Sequence, residues 1–548
     1  MTPVPRAVLA VDAGAATTAT ALLGRPADRW RLIGALAAPA SASADDVATV
    51  LADRVLGVDP GLAAAIGLTV DGIRDLPRLE TRSLPPATLA VLGASRRAVG
   101  LVEAIAARTS WRVRSASPDS HDPREMTELA LRSDVSAILI GTSEPPGPDE
   151  RGALDDLAAL TATVARRRPE LRVVLAGPIS SRPAWTAAIG DALDRGPQRV
   201  FEAAPLSARD DSDHALREIL EGLQAHLQDT RHAAVRALIS LADALDRRIE
   251  LLDIGFDGGL RAIATPGVGD DGPSAIVVRS SAAALVPPEP DAAAVEDVLA
   301  WTTGSLDRHR MGDRLQDLRS QPWGDPAGDG ARVRLAATRA ALARLVAESG
   351  DLGRLPAPDI TIVTGGGFAL APPAAIALAV ADVVRRTGAT QLAFDHARLL
   401  GPLGTIEDPD ERRALVADLA DDLLAPIGSL LVVGGLPAAR RGAAAVGSLA
   451  LDGGGNGADR HATRHDLFAG DVLFVDLAPG DTARASLEFN DAARVGRRAH
   501  RMSVPVTGGL AGVLVDLRDV PLRLPERRDR RRAALAAWGT LAWPGDER

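Results

Sequence analysis

Val8-Leu9-Ala10-Val11-Asp12-Ala13-Gly14 is a short apolar run that ends in Asp-x-Gly and passes into Ala15-Ala16-Thr17-Thr18. Leu251-Leu252-Asp253-Ile254-Gly255, followed by Phe256-Asp257-Gly258-Gly259, repeats that pattern much later in the chain. Ile360-Thr361-Ile362-Val363-Thr364 then leads into Gly365-Gly366-Gly367. Continuous apolar runs closed by small residues read as buried strands followed by tight turns. One Asp-x-Gly is a common strand end. Two of them in strand context, with a glycine cluster after the second, predict a duplicated α/β nucleotide-binding fold.

The surrounding sequence fits that frame. Residues 6–12 and 18–24 flank the first turn as a hairpin. Strand-like runs at 87–92, 135–141 and 171–177 alternate with helical spacing at 98–108 and 149–168, the pattern of an α/β fold with a largely parallel sheet. Residues 211–250 read as mostly helical and lead into the second Asp-x-Gly strand. A polar stretch at 305–330, containing Trp323-Gly324-Asp325-Pro326, reads as a surface loop. Helices are expected at 332–348, 372–386 and 409–424, and Pro402-Leu403-Gly404-Thr405 reads as a turn. Gly453-Gly454-Gly455-Asn456-Gly457 has the composition of a flexible linker. Short strands at 471–477, 482–489, 502–506 and 512–517 follow it, then a helix at 526–538. Three domains are therefore expected: residues 1–250 as a first half, 251–450 as a second half with the glycine segment, and 451–548 as a small β-rich domain.

Composition narrows the chemistry. The 548 residues include no cysteine, which excludes disulfides and thiolate metal sites. They include no tyrosine, and every basic residue is arginine. Alanine-rich, lysine-free composition points to a GC-rich genome. Any site that elsewhere uses lysine must be altered here. The net charge of −10 and the 3% aromatic content argue against nucleic-acid binding, which needs a basic face and stacking platforms. No run reaches the roughly 18 apolar residues of a membrane helix, so a cytoplasmic protein with no membrane association is expected. His461 and His465 are four apart but lack the partners of a zinc site.

Phosphates bind where backbone N–H groups converge at a small-residue turn. Gly14 permits close approach, and Thr17 and Thr18 offer hydroxyls. Gly255, Gly258 and Gly259 offer the same on the other side. Gly365, Gly366 and Gly367 would let an adenosine lie against backbone. Asp12 and Asp253, at the strand ends, are the candidate catalytic and Mg²⁺-holding carboxylates, since Mg²⁺ is commonly held by one or two carboxylates, water and phosphate.

In these residues the chain resembles the MutL family, also called GlmL, the glutamate-mutase-associated accessory proteins of the actin/Hsp70/sugar-kinase class. Asp12–Ala19 occupies the family's first motif, Asp-Ile-Gly-Ser-Thr-x-Thr-Lys. Asp253–Leu260 occupies its second, Asp-Ile-Gly-Gly-Ala-Thr-Thr-Asp. Val363–Leu370 resembles its adenosine segment, and Leu392–Asp395 and Leu403–Ile406 also match. The tail Gly508–Arg518, then Pro521–Pro525 and Arg528–Trp538, is the most family-specific piece. The resemblance implies a duplicated actin/Hsp70-like (ribonuclease H-like) fold with a small C-terminal β-rich domain. It also implies ATP and Mg²⁺ as ligands, and a role as ATP-dependent reactivase or chaperone of an adenosylcobalamin-dependent mutase subunit.

The chain departs from the family at named positions. Ala19 stands where the motif has lysine, and Ala15 where it has serine. Gly258 and Gly259 replace threonines, Leu260 replaces an aspartate, and Asp257 is new. Phosphoryl transfer depends on positioning and charge stabilisation, so these losses weigh on hydrolysis more than on binding. A scaffold of the same fold that binds a partner protein without hydrolysing ATP is therefore a second expectation. A small-molecule kinase is a third, disfavoured by the tail and by the lack of a catalytic aspartate in a substrate loop.

Overall fold

The computed structural model describes residues 6–543, apart from 143–146, 177–186, 188–199, 204–211, 225–228, 270, 289, 351, 353–354, 439–443, 454–463 and 541. Most of the expected glycine linker, and His461, lie outside the described residues. The chain forms two compact units. One comprises Met1–Leu84, Gln228–Val277 and Ala283–Arg548, and the other Pro85–Leu227 with Val278–Ala282. The stretch 1–250, read above as one half, thus contributes to both.

The larger unit begins with strands β1 (Ala7–Ala13), β2 (Thr17–Gly24), β3 (Arg31–Pro39) and β4 (Arg78–Arg82), in spatial order β3-β2-β1-β4. Strand β1 runs antiparallel to β2 and parallel to β4. It is buried on both faces, which explains its continuous apolar run. Successive side chains on a strand point to opposite faces. Leu9 and Val11 accordingly pack with Leu51, Val55 and Ile66 beneath the sheet. Ala10 packs the other way, into a core shared with Leu238, Leu251, Leu260 and Ile362.

The smaller unit carries β5 (Thr88–Gly93), β6 (Arg112–Ala116), β7 (Val135–Gly141), β8 (Arg172–Ala176) and β9 (Val200–Ala203). They form one parallel sheet in the order β6-β5-β7-β8-β9. Helices cover both faces, with separate cores around Ile138 and Leu154 and around Leu139, Val102 and Leu216. This is a doubly wound sheet of its own.

The second half of the larger unit repeats the first. Strands β10 (Ile249–Gly255), β11 (Gly258–Thr265), β12 (Ser274–Ser280) and β13 (Ile360–Thr364) lie in the order β12-β11-β10-β13. Again the central strand is antiparallel to the second and parallel to the fourth. The sheet continues through β14 (Gly388–Phe394) and β15 (Ala425–Val432). Beyond these come β16 (Gly447–Asp452), β17 (Arg464–Leu467), β18 (Val472–Val475), β19 (Thr482–Val495), β20 (Arg497–Thr507) and β21 (Val513–Asp516). Strands β21 and β18 extend the large sheet past β15 to eight strands, whereas β17-β16-β19-β20 is a separate antiparallel sheet.

This strand order, used twice around one shared core, is the actin-like, ribonuclease H-like ATPase fold, with the extra antiparallel sheet near the C-terminus.

Two local expectations need correction. The stretch 305–330 is not all loop, because Arg308–Ser320 is a helix capped by Asp307. Only Met311 and Leu315 of that helix are buried, too thin an apolar stripe to stand out in the sequence. The part that carries Trp323-Gly324-Asp325-Pro326 is the expected surface loop, and the half-buried Trp323 indole Nε1 donates to the Ala16 carbonyl at 3.0 Å. The expected turn at Pro402 is the end of a buried helical turn, Leu400–Leu403. No described helix is long and apolar enough to cross a membrane.

Candidate functional site

Asp12 and Asp253 hold matching positions. Asp12 lies opposite Ala19 on β2 and beside Thr81 on β4. Asp253 lies opposite Leu260 on β11 and beside Thr364 on β13. Each follows by two residues an apolar side chain of the shared core, Ala10 or Leu251. The period of two turns both carboxylates toward that same side, where the core gives way to a cleft. Asp12, Gly14, Thr17, Asp253, Gly255, Gly365 and Gly366 all line that cleft.

The other sequence candidates lie elsewhere. The Thr18 hydroxyl donates to the Ala42 carbonyl at 3.3 Å. The Gly258 carbonyl accepts from Arg231 Nη2 at 3.0 Å. A Cβ at Gly259 would stand 2.9 Å from that of Ala283, and one at Gly367 2.8 Å from Thr338 Oγ1. These glycines serve close packing behind the cleft. Gly365 is different, with φ of +93° and a virtual Cβ only 2.3 Å from Asp253 Oδ1. Only glycine lets this turn sit against the carboxylate.

Around the aspartates stand groups that were not among the candidate site residues. Thr230 Oγ1 donates to Asp12 Oδ1 at 2.9 Å and Thr81 Oγ1 to the same atom at 3.3 Å. Arg398 Nη1 is 3.7 Å from Asp12 Oδ2, and Arg231 Nε is 3.8 Å from Asp253 Oδ2. Asp395, at the end of β14, accepts from the Leu399 and Leu400 N–H groups at 2.9 and 3.3 Å. Trp323, Arg334 and Asp257 complete the wall. Arg319 Nη2 lies 3.6 Å from Asp257 Oδ1. Two signals for these residues were available in the sequence. Asp395 is a third aspartate at a strand end, and a lysine-free chain must draw every cation from arginine.

Burial dominates the electrostatics. It pushes Asp12 up, against the opposing pull of Arg398, Thr230 and Thr81. It pushes Asp253 up to about 6, against Arg231 and with the help of the Asp12 charge. Asp395 also rises to about 6, chiefly through burial, despite its two backbone donors. The Asp12 charge works against ionisation of Asp253, and a cation beside both would relieve that repulsion. Among the described residues no group of three or more acidic or histidine side chains forms a metal cage. Asp12 and Asp253 together offer two carboxylates, a donor set of the kind that holds Mg²⁺ alongside water and phosphate oxygens.

No protein-family model matches the chain, and no curated protein matches it. Among solved structures, it is similar to nucleotide-free acetone carboxylase, at 12% identity over 72% of this chain and 69% of that one, with a TM-score of 0.28. It is similar to a chain of the PilM-PilN type IV pilus biogenesis complex, at 15% identity over 75% and 97% and a TM-score of 0.22. Plasmodium falciparum glycerol kinase with ADP is 8% identical over 75% and 92%, with a TM-score of 0.24. Likeness at these scores has no bearing on function, and the fold class rests on the strand order described above.

Proposed function

We propose that this cleft binds Mg-ATP. The observation that carries the reading is the equivalence of Asp12 and Asp253, two buried carboxylates at one register point of a duplicated sheet, facing one cleft between glycine turns. The Gly14–Thr17 and Gly255 turns would hold phosphates, the aspartates would hold Mg²⁺ through water, and Gly365 and Gly366 would border the adenosine. The bound cation would neutralise phosphate charge and the two carboxylates together.

The finer role we propose is that of a MutL/GlmL-like accessory protein, an ATP-dependent reactivase or chaperone of an adenosylcobalamin-dependent mutase. Its support is the sequence resemblance, above all the tail Gly508–Arg518. Nucleotide binding would act on a partner by favouring one arrangement of the two halves over another.

A second reading, a scaffold that does not hydrolyse ATP, draws on a specific observation: each aspartate already has an arginine beside it, at 3.7 and 3.8 Å. Thermal unfolding with and without excess Mg-ATP, wild type beside Asp12→Asn, tests the binding, and phosphate release from Mg-ATP by the wild type tests the hydrolysis. A ligand at a hundred times its Kd stabilises by about 2.7 kcal/mol. A rise in Tm confined to the wild type is expected, while no rise in either protein overturns nucleotide binding and leaves the scaffold. Co-purification with a glutamate mutase subunit, dependent on Mg-ATP, tests the accessory role.

A further inference from the structure

We infer that Arg398 is the phosphate-binding cation of this cleft, in place of the lysine the chain lacks. The inference rests on the nucleotide reading above and deepens it. Ala19, the position of the family lysine, is buried opposite Asp12 and carries no charge. Three arginines line the cleft. Arg231 lies behind Gly255, bonded to the Gly258 carbonyl. Arg334 donates to the Pro322 carbonyl. Arg398 alone stands between the two glycine turns: a Cβ at Gly14 would be 3.5 Å from its Nη1, and one at Gly366 would be 3.6 Å from its Nη2.

Its backbone supplies an independent observation. Arg398 has φ of +53°, a conformation costly for a side chain with Cβ. Asp395 holds the turn in place by accepting from the next two N–H groups, Leu399 and Leu400. The strain delivers the guanidinium into the cleft with its side chain 15% exposed. A planar fork that spans two turns matches a phosphate bidentately, which an ammonium cannot do. Arg398 now faces Asp12. A divalent cation arriving at Asp12 would displace that pairing and leave the guanidinium to the phosphate.

The test is calorimetric titration of Mg-ADP and of adenosine into wild type, Arg398→Gln and Arg398→Lys. Expected is a loss of about tenfold or more for Mg-ADP in Arg398→Gln, the scale of a charged hydrogen bond. Adenosine affinity should stay as in wild type, and Arg398→Lys should recover part of the loss. Equal Mg-ADP affinity in wild type and Arg398→Gln overturns the assignment and leaves the nucleotide reading standing. Parallel loss of adenosine binding overturns it in favour of a structural role. Should Arg398→Gln not fold, Arg398→Lys carries the test, and an unchanged Mg-ADP affinity there overturns the bidentate contact. Absence of Mg-ADP binding in the wild type overturns the nucleotide reading itself, and this inference with it.

Discussion

Thr81 and Thr364 occupy the same register position in two copies of one sheet, each beside the aspartate of the central strand. Their hydroxyls have diverged. Thr81 donates to its own neighbour, Asp12, whereas Thr364 turns away to Asp395 at 3.4 Å. Asp12 therefore has two hydroxyl donors, counting Thr230, while Asp253 depends on Arg231 at 3.8 Å. The two halves keep one backbone plan and differ in how well each carboxylate is satisfied.

Asp253 should make the ligand-free protein less stable as pH rises. Its carboxyl is raised from 3.8 to about 6, mainly by burial, so the native state holds the proton more tightly than the unfolded chain. The associated stability is fully present below pH 3.8 and is lost as pH rises through about 6. Asp253→Asn should then stabilise the ligand-free protein at pH 7 by up to about 3 kcal/mol, and by little at pH 4. Urea unfolding at the two pH values measures this, and an equal effect at both refutes it. The same variant should abolish stabilisation by Mg-ATP.

Gly365→Ala should damage the site from the backbone. A Cβ there meets Asp253 Oδ1 at 2.3 Å and the Ile254 carbonyl at 2.4 Å, with φ of +93°. The carbonyl belongs to a strand and cannot move aside cheaply. A loss of at least about 2 kcal/mol is expected in urea unfolding. Gly269, also at positive φ but with nothing within 4 Å, provides the control in which only the backbone penalty applies.

Trp323 should report on the cleft. Its indole is hydrogen-bonded to Ala16 in the Gly14–Thr17 turn and lines the cavity. Mg-ATP should change tryptophan emission, and Trp323→Phe should remove most of that change although six of the seven tryptophans remain. The lost hydrogen bond should cost about 1 kcal/mol. A nucleotide-dependent signal that survives the substitution would place the responding indole elsewhere.

Arg518 should be among the most sensitive positions for stability. It is 2% exposed and bonds Asp516 twice and Asp382 at 2.7 Å, with Trp538 4.6 Å from its guanidinium. Arg518→Met leaves two buried carboxylates short of charge and should cost about 3–5 kcal/mol in urea unfolding. Trp538→Ala, which spares the ion pairs, should cost less.

The strand-end aspartates and the glycine turns were legible because their signal is local: an apolar run, a carboxylate, then small residues. Strands at 87–92 and 135–141 were legible as short apolar runs closed by glycine, and β5 and β7 lie there. Arg398, Thr230 and Arg231 were not, because they reach the cleft from a turn and a helix hundreds of residues from β1, and no spacing rule links them. The helix Arg308–Ser320 was missed because it buries only Met311 and Leu315. The long helical stretch 211–250 resolves into Ser212–Gly222 and Thr230–Leu245, the second capped by Asp229. That break brings Thr230 and Arg231 to the cleft, and nothing in the apolar spacing marks it.

The joining of β21 and β18 to β15 sets an order on synthesis. Until residue 516 has left the ribosome, β15 presents Leu430, Leu431 and Val432 along an unpaired edge, the kind of surface that recruits other chains. The nascent protein thus carries half of its cleft, complete in sequence, on a sheet that is still open. A stalled or truncated product would be prone to aggregate, and a chaperone able to cover one strand edge would be its natural protector during translation.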